Sequence, residues 1–226
     1  MNANILPQID AGLRRIVALQ LWELGAVRVN TEDPFRLVSG NYSPIYINCR
    51  QLISSLIFVD ILAAAARIIC DVGAVNVDVI AGGETAGIPF AAFLARTFNR
   101  PMIYVRKQAK AHGIATPIEG VLSPGQKVLL VEDLITDAGS KLAFIESIRH
   151  GGAFVEDVFV VFDRLQGGRE ALQEKGIRLH AATDMKMVLE VAREAGVLAE
   201  ETLTAVHEYL VSPASWHSQR NFPYHK

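Results

Sequence analysis

The chain has 226 residues, of which 50% are hydrophobic and 20% are charged, and its formal net charge is −2. This composition predicts a full hydrophobic core and excludes a disordered chain, and the slightly acidic balance argues against a general nucleic-acid binder. The two cysteines, Cys49 and Cys70, lack the spacing of metal ligands and fit a reducing compartment. The first ten residues do not have the pattern of a signal peptide, so we expect a cytoplasmic location.

The N-terminal part of the sequence predicts one helix followed by short β segments. Apolar residues recur at helical spacing from Ile9 to Leu24. Pieces with β character follow around Val27–Val29 and Phe35–Leu37, and again from Tyr42 to Cys49. This segment does not share the regular alternation of strands and helices seen later in the chain. We therefore interpret residues 1–55 as a small hood over a ligand site.

From residue 56 to residue 196, strand and helix patterns alternate. The predicted strands are Val77–Ile80, Pro101–Val105, Val128–Val131, Val155–Val161 and Arg178–Ala182. The predicted helices are Leu56–Cys70, Ile88–Phe98, one from Ser140 onward, one ending near Lys175, Met185–Ala195 and Glu200–Val211. The alternation predicts an α/β fold whose mostly parallel, twisted sheet carries helices on both faces. We expect a single domain over 1–226, with the α/β core at 56–196, C-terminal helices at 184–212 and a polar tail.

Charged residues interrupt the most apolar stretch, which runs from Leu52 to Ile69. Asp60 and Arg67 lie within it. A stretch of this kind is typical of a buried helix, so no membrane span is expected.

The stretch from Lys127 to Ile148 carries the clearest chemical signal. An apolar run leads into the acidic pair Glu132 and Asp133, and a turn from Thr136 to Ser140 then leads into a helix. Open α/β sheets bind ligands at the carboxyl ends of their strands, and a helix N-terminus favours a phosphate group. The acidic pair can accept hydrogen bonds from sugar hydroxyls, so a ribose 5-phosphate satisfies both parts of the motif. The alternative is an ordinary strand-to-helix turn with an acidic cap.

Two further clusters of charge follow predicted strands. Arg106, Lys107, Lys110 and His112 fall within seven positions, in a segment without apolar periodicity. We interpret this segment as a mobile loop that closes on a pyrophosphate, the alternative being a solvated basic turn. Arg164 follows the fourth predicted strand and is suited to a carboxylate or to paired carbonyls, the alternative being an ion pair with a local acid such as Asp163.

Four motifs give the chain a resemblance to a known family. They are SGNYSPIYIN at 39–48, YVRKQAKAHG at 104–113, VLLVEDLITDAGSK at 128–141 and FDR at 162–164. They occur in the order seen in orotate phosphoribosyltransferases. The central motif alone resembles all type I phosphoribosyltransferases, whereas the basic loop and the hood strand specify the orotate branch.

The resemblance implies a reaction between orotate and 5-phosphoribosyl 1-pyrophosphate (PRPP) that gives orotidine 5′-monophosphate and pyrophosphate in pyrimidine synthesis. It implies Mg²⁺ as cofactor, held mainly through PRPP with no direct protein ligand. It further implies a homodimer whose basic loop reaches the neighbouring subunit's site. No nucleic-acid or membrane partner is expected.

By position, the resemblance also assigns the site residues. PRPP binding falls to Arg106, Lys107, Lys110, His112, Glu132, Asp133, Leu134, Ile135, Thr136, Asp137, Ala138, Gly139 and Ser140. Orotate binding falls to Thr136, Arg164, Tyr46 and Ile47. Catalysis falls to Lys110, His112 and Asp133.

The chain departs from the family pattern at two positions. Val38 and Ala86 stand where many members have lysines near PRPP or pyrophosphate, and Arg36 is a candidate source of the missing charge. Two other functions stay open at this point. One is a phosphoribosyltransferase for another nucleobase, and the other is a non-catalytic PRPP-binding regulator. Such regulators usually carry a DNA-binding segment or a basic surface, and neither is evident in the sequence.

Overall fold

The computed structural model describes residues 5–37, 39–107 and 117–225. Its helices are α1 (Ile5–Glu23), α2 (Leu56–Val72), α3 (Gly87–Phe98), α4 (Gly139–His150), α5 (Gly168–Gln173), α6 (Met185–Glu194), α7 (Glu200–Val211) and α8 (Pro213–Gln219). Its strands are β1 (Val27–Val29), β2 (Phe35–Arg36), β3 (Tyr42–Ser43), β4 (Ile45–Ile47), β5 (Val79–Gly83), β6 (Met102–Val105), β7 (Ile118–Glu119), β8 (Lys127–Ile135), β9 (Phe154–Asp163) and β10 (Arg178–Asp184).

The main sheet has six strands in the order β10-β9-β8-β5-β6-β7. All neighbouring pairs are parallel except β6 and β7, which are antiparallel. Strands buried on both faces consist of continuous apolar runs, as in the predicted segments of β5, β8 and β9. The predicted α/β fold with a mostly parallel sheet is confirmed.

Helices cover both faces of this sheet. The larger core joins one face to α1, α2, α3 and α6–α8, and the smaller core joins the other face to α4 and α5. Successive residues of a strand point to opposite faces, so Leu129 and Val131 enter the larger core while Val128 and Leu130 enter the smaller one. This alternation continues into the acidic residues that follow on β8.

The hood is smaller than the sequence suggests. It contains the antiparallel pairs β1–β4 and β2–β3, followed by a 3₁₀ helix at Cys49–Ser54. Helix α1, by contrast, packs against α2, α6 and β10, with Val17, Ala18 and Leu21 fully buried. The sequence placed α1 in the hood because an amphipathic pattern shows only that a helix has an apolar face. The pattern does not show which surface of the protein covers that face.

Besides the 3₁₀ helix at Cys49–Ser54, two described elements were not predicted. Strand β7 has two residues, and helix α8 lies in the tail that the sequence left without structure. Helix α8 reads PASWHSQ, so it has no apolar periodicity, and yet Trp216 and His217 are buried. Among the described residues, no helix combines the length and the apolar character needed to cross a membrane.

Candidate active site

At its C-terminal end, strand β8 extends beyond the neighbouring strand β5. Pairing with β5 ends at Val131, whereas pairing with β9 continues to Ile135. At this end β8 therefore extends four residues beyond the predicted apolar run, and Glu132 and Asp133 lie beyond the last residue that pairs with β5. Both carboxylates are at the carboxyl end of the parallel sheet, which is the position predicted from the sequence.

The two carboxylates approach the site from opposite faces of β8. Glu132 follows the parity of Leu130 and points toward α4, whereas Asp133 follows the parity of Val131 and points toward the larger core. They are 5% and 9% exposed, respectively. The sequence treated them as one pair with one task, but the backbone gives them different neighbours.

Glu132 is held by a lysine that the sequence analysis did not select. Lys141, on the first turn of α4, places Nζ 3.0 Å from Glu132 Oε2. Burial raises the pKa of Glu132, the charge of Lys141 lowers it, and the charge of Asp133 raises it. The net effect is a raised pKa, because the lysine offsets only part of the desolvation. The sequence does contain an indication of this contact, because Lys141 directly follows Ser140 at the end of the central motif.

Two glycines make room for Glu132. A β-carbon built on Gly83 or Gly87 would collide with Glu132 Oε1, and on Gly83 it would also lie 2.6 Å from the Phe144 ring. The Glu132 Oε1 atom is buried and has no hydrogen-bond partner in this structure. Gly82 and Gly83 are the last residues of β5, and Gly83 lies against the carboxylate.

The turn from Thr136 to Ser140 leads directly into α4. Ala138 adopts φ 71°, and the Gly139 amide donates a hydrogen bond to Asp137 Oδ1 at 3.0 Å. Helix α4 begins at Gly139 and has no acidic residue in its first turn. The Gly139 amide is already bound by Asp137, whereas the amides that follow it and the helix dipole are available to an anion.

A first cavity of about 540 Å³ opens beside the acidic residues. Its charged lining residues are Glu84, Glu132, Asp133, Arg50, Lys107 and Lys141. Ala86, one of the two positions that lack the family lysine, lies in the same wall. Arg50 and Lys141 therefore bring positive charge to this cavity, whereas Arg36 is exposed on β2 and does not line it. The sequence missed Arg50 because a 3₁₀ helix has no readable apolar period.

The first two residues of the predicted basic loop, Arg106 and Lys107, lie between this cavity and the edge of the sheet. The Lys107 amide donates a hydrogen bond to Glu84 Oε2 at 2.7 Å, and the Arg106 amide donates one to the Pro117 carbonyl at 2.8 Å. Arg106 Nη1 also lies 3.8 Å from Glu119 Oε1. Lys110, His112 and the departure at Val38 lie outside the described residues.

A second cavity of about 580 Å³ lies on the other side of the turn. Thr136, Asp137 and Arg164 form one part of its lining. The alternative pairing of Arg164 with Asp163 does not occur, because Asp163 Oδ2 binds Arg169 Nη2 at 3.1 Å and Oδ1 accepts the Leu165 amide at 2.9 Å.

The Arg164 guanidinium thus faces this cavity without a counter-charge. Its Nε is buried and unpartnered, and across residues 5–37, 39–107 and 117–225 no acid forms an ion pair with it. Burial lowers the pKa of Arg164, and the side chains of Tyr209, Cys49 and Tyr46 act in the opposite direction. A buried, unpaired guanidinium is costly, so this arrangement suits an anionic ligand.

Tyr46 and Ile47, the two hood residues that the sequence assigned to orotate, have side chains on opposite faces of β4. Tyr46 is exposed, and its ring lies 5.6 Å from the Phe35 ring. Ile47 is buried in the larger core. Tyr46 lies near enough to Arg164 to influence its pKa, but neither hood residue lines the two cavities. Only the backbone of Ile47 is therefore available to a ligand.

The fold and this site together define a class. A parallel sheet with an acidic pair at the end of one strand, followed by a phosphate-binding turn and a helix, is the arrangement of a type I phosphoribosyltransferase. The family model for the phosphoribosyl transferase domain matches residues 51–175 of the chain.

Individual relatives narrow the family further. The orotate phosphoribosyltransferase of Sinorhizobium fredii is 44% identical over 92% of this chain and 91% of its own length. The crystal structure of orotate phosphoribosyltransferase from Aeropyrum pernix has a TM-score of 0.68 at 30% identity, covering 81% of this chain and 99% of that one. Leishmania donovani UMP synthase has a TM-score of 0.74 at 29% identity, covering 87% of this chain and 42% of that longer one. The chain belongs to the orotate phosphoribosyltransferase family.

Proposed function

We propose that this protein transfers the 5-phosphoribosyl group of PRPP to orotate, giving orotidine 5′-monophosphate and pyrophosphate in the de novo synthesis of UMP. The observation that carries the proposal is the pairing of an acid-lined phosphate-binding turn with an unpaired arginine on its far side. Such a site accepts a ribose phosphate at the turn and an anionic base at Arg164.

PRPP is assigned to the first cavity and the turn. The 5-phosphate binds the N-terminus of α4 at Asp137–Ser140, and the ribose hydroxyls donate hydrogen bonds to Asp133 and Glu132. The pyrophosphate then lies toward Lys107, Lys141 and Arg50, which line this cavity. These cations supply positive charge where two family lysines are absent.

Orotate is assigned to the side of the turn that carries Arg164. A guanidinium binds a carboxylate through two parallel hydrogen bonds, and orotate carries a carboxylate that uracil lacks. Thr136, which lines the same cavity, contributes a hydroxyl, and the exposed ring of Tyr46 provides an aromatic surface near Arg164.

The reaction breaks one bond at C1 of the ribose and forms another. The C1–O bond to pyrophosphate breaks and its electron pair leaves with the pyrophosphate, while a ring nitrogen of orotate forms the new bond to C1 after losing its proton. Positive charge around the leaving group stabilises the transition state, where negative charge develops. Lys110 and His112 are the candidates for moving the proton, and Asp133 stabilises the ribose as positive charge develops on it.

Mg²⁺ is proposed as the cofactor and is expected to bind with PRPP. Within the described ranges no group of three or more His, Cys, Asp or Glu side chains could hold a metal. Among the described residues, Glu84 and Asp133 are the carboxylates of the first cavity that form no ion pair, although Glu84 Oε2 accepts the Lys107 amide; Glu132 is paired with Lys141. One or two carboxylates plus substrate phosphates form the usual environment of Mg²⁺, so the donor set fits a metal brought by the substrate. The bound ion would neutralise charge on the pyrophosphate.

A homodimer is also proposed, with the basic loop acting in the partner's site. Leu56 and Ile57, at the start of α2, are 83% and 69% exposed and lie close in sequence to Ile53, which lines the first cavity. An exposed apolar patch of this kind is suited to a protein interface. If the loop is shared, mixing inactive Lys110→Ala and Asp133→Ala chains should restore part of the activity; a mixture as inactive as its components would exclude sharing.

The base specificity is tested by turnover of orotate, uracil and purine bases in parallel at the same PRPP concentration. We expect turnover with orotate alone. Activity with a purine but not with orotate would establish the alternative transferase. PRPP binding without turnover of any base would establish the regulator. The buried free cysteines and the biosynthetic role agree with a cytoplasmic location.

A further inference from the structure

The C-terminal tail folds back onto the hood. Helix α8 and the residues after it, through His225, contact the turn that connects β2 to β3. The function described above assigns no role to this tail, and its sequence has no periodic pattern.

One contact uses a buried histidine as a bridge. His217 Nδ1 lies 2.6 Å from the Pro213 carbonyl oxygen, and Nε2 lies 3.0 Å from the Tyr42 amide nitrogen. A carbonyl can only accept, so Nδ1 carries the hydrogen and Nε2 accepts from the Tyr42 amide. The imidazole thereby ties α8 to the first residue of β3.

A second contact lies on the same turn. The Asn41 side chain forms two hydrogen bonds with the backbone of His225, donating to its carbonyl at 2.8 Å and accepting from its amide at 2.7 Å. The Phe222 ring also stacks on Tyr42 with centroids 4.5 Å apart. Three independent contacts therefore fix the hood turn to the tail.

The tail and the hood turn share a cavity with the assigned substrate residues. The second cavity is lined by Arg164 and Thr136 on the core, by Ser39 and Asn41 on the hood turn, and by His217 and Tyr224 on the tail. The core residues alone would leave this cavity open on the tail side. The tail thus closes the cavity into which the unpaired guanidinium of Arg164 faces.

We propose that the tail, residues 212–225, forms a wall of the orotate half of the site, with His217 as the residue that positions the hood turn. This inference rests on the proposed function. His217 acts through Tyr42 and the turn, because its two ring nitrogens are already engaged by protein groups. Loss of its acceptor should weaken orotate binding and leave PRPP binding, on the other side of the phosphate turn, nearly unchanged.

The test compares His217→Leu, which removes the acceptor, with His217→Gln, which retains an acceptor oxygen and a donor nitrogen. Ser218→Ala, on the exposed face of the same helix, is the matched control. A chain truncated after Phe222 removes the Asn41–His225 contact and Tyr224 while leaving Trp216, His217 and Phe222 in place. For each chain, KM for orotate and for PRPP, kcat and Tm are measured.

We expect His217→Leu and the truncation to raise KM for orotate by about threefold to tenfold, the equivalent of one lost hydrogen bond. KM for PRPP should stay near the wild-type value, and His217→Gln should recover most of the orotate affinity even if its Tm falls as far as that of the leucine variant. Equal changes in both KM values, or a fall in Tm with unchanged kinetics, would reduce the tail to a structural role and overturn the inference while the proposed function stands. A wild-type chain that does not turn over orotate would instead overturn the proposed function and this inference with it.

Discussion

Lys141 Nζ lies 3.0 Å from Glu132 Oε2, and both side chains are almost fully buried in the wall of the first cavity. Their backbones belong to neighbouring elements, because β8 ends at Ile135 and α4 begins at Gly139. The ion pair therefore links the acidic end of the strand to the helix whose N-terminus is assigned to the phosphate. Any change in either side chain should affect both stability and PRPP binding.

The first prediction concerns the stability of this pair. Lys141→Met should lower the free energy of unfolding by about 3 kcal/mol, because it leaves a buried carboxylate without a partner. The double variant Glu132→Gln with Lys141→Met should recover much of that loss, since no charge remains buried. Urea unfolding of both single variants and the double variant gives the coupling energy. Arg193→Met breaks an exposed pair with Glu200 and should cost less than about 1 kcal/mol. Additive losses from the two single substitutions would show that the pair is not coupled.

The second prediction concerns pH. Burial raises the pKa of Glu132 and Lys141 partly opposes this, so Lys141→Met should raise the pKa further. A raised carboxyl pKa gives stability that is present below the unfolded-state value and is lost as pH rises through the folded-state value. The Lys141→Met chain should therefore lose stability more steeply than the wild type as pH rises.

PRPP binding should show the opposite trend with pH, because only the ionised carboxylate accepts hydrogen bonds from two hydroxyls. The acid limb of PRPP affinity, measured by calorimetry, should move to higher pH in Lys141→Met. An unmoved acid limb would mean that Glu132 does not bind the ribose in its ionised form.

The third prediction concerns the two glycines against Glu132. Gly83→Ala and Gly87→Ala each place a methyl group at the carboxylate, and at Gly87 the methyl group would also lie 2.5 Å from the Val131 carbonyl oxygen. Overpacking of this kind costs about 1–3 kcal/mol. Because Glu132 must move, the affinity for PRPP should fall together with the stability. Gly12→Ala is the control: it lies on an exposed face of α1 with nothing within 4 Å, and it should stabilise the chain by about 1 kcal/mol. Unchanged PRPP affinity in both cavity variants would show that the position of Glu132 is unimportant for binding.

The fourth prediction concerns Arg164. Arg164→Met should raise KM for orotate by about tenfold to a hundredfold, the range for hydrogen bonds to a charged group, with KM for PRPP little changed. The KM of Arg164→Lys for orotate should fall between those of the wild type and Arg164→Met, because lysine keeps the charge but not the paired geometry.

Since the guanidinium has no partner in the described parts of the chain, Arg164→Met should not lower the free energy of unfolding. Arg169→Met, which removes the partner of Asp163, should lower it. A stability loss in Arg164→Met equal to that in Arg169→Met would indicate a structural role.

Much of the fold followed from periodicity. The strands of the parallel sheet and the helices from α2 to α7 lie close to their predicted positions, since buried strands and amphipathic helices carry their pattern in consecutive residues. Helix α8 escaped prediction because its stability comes from Trp216 and His217 packing onto distant residues, which no local pattern encodes.

The residues of the candidate site were likewise predictable only in part from the sequence. The acidic pair, the turn and Arg164 were visible as motifs, because each is a run of neighbouring residues at the end of a predicted strand. Lys141 and Arg50 were not selected, since a single cation on a helix is usually solvated. The roles of Lys110 and His112 stay predictions.

The sequence by itself determined the class of fold, the phosphate-binding turn and the family, because each depends on residues that are adjacent in the chain. Tertiary structure decided which face of β8 each carboxylate occupies, which cation neutralises Glu132, and that Asp163 pairs with Arg169 and leaves Arg164 free for a ligand. It also brought the tail onto the hood. Ion pairs and close packing depend on distances of a few ångströms between elements far apart in sequence, and only the folded chain sets those distances.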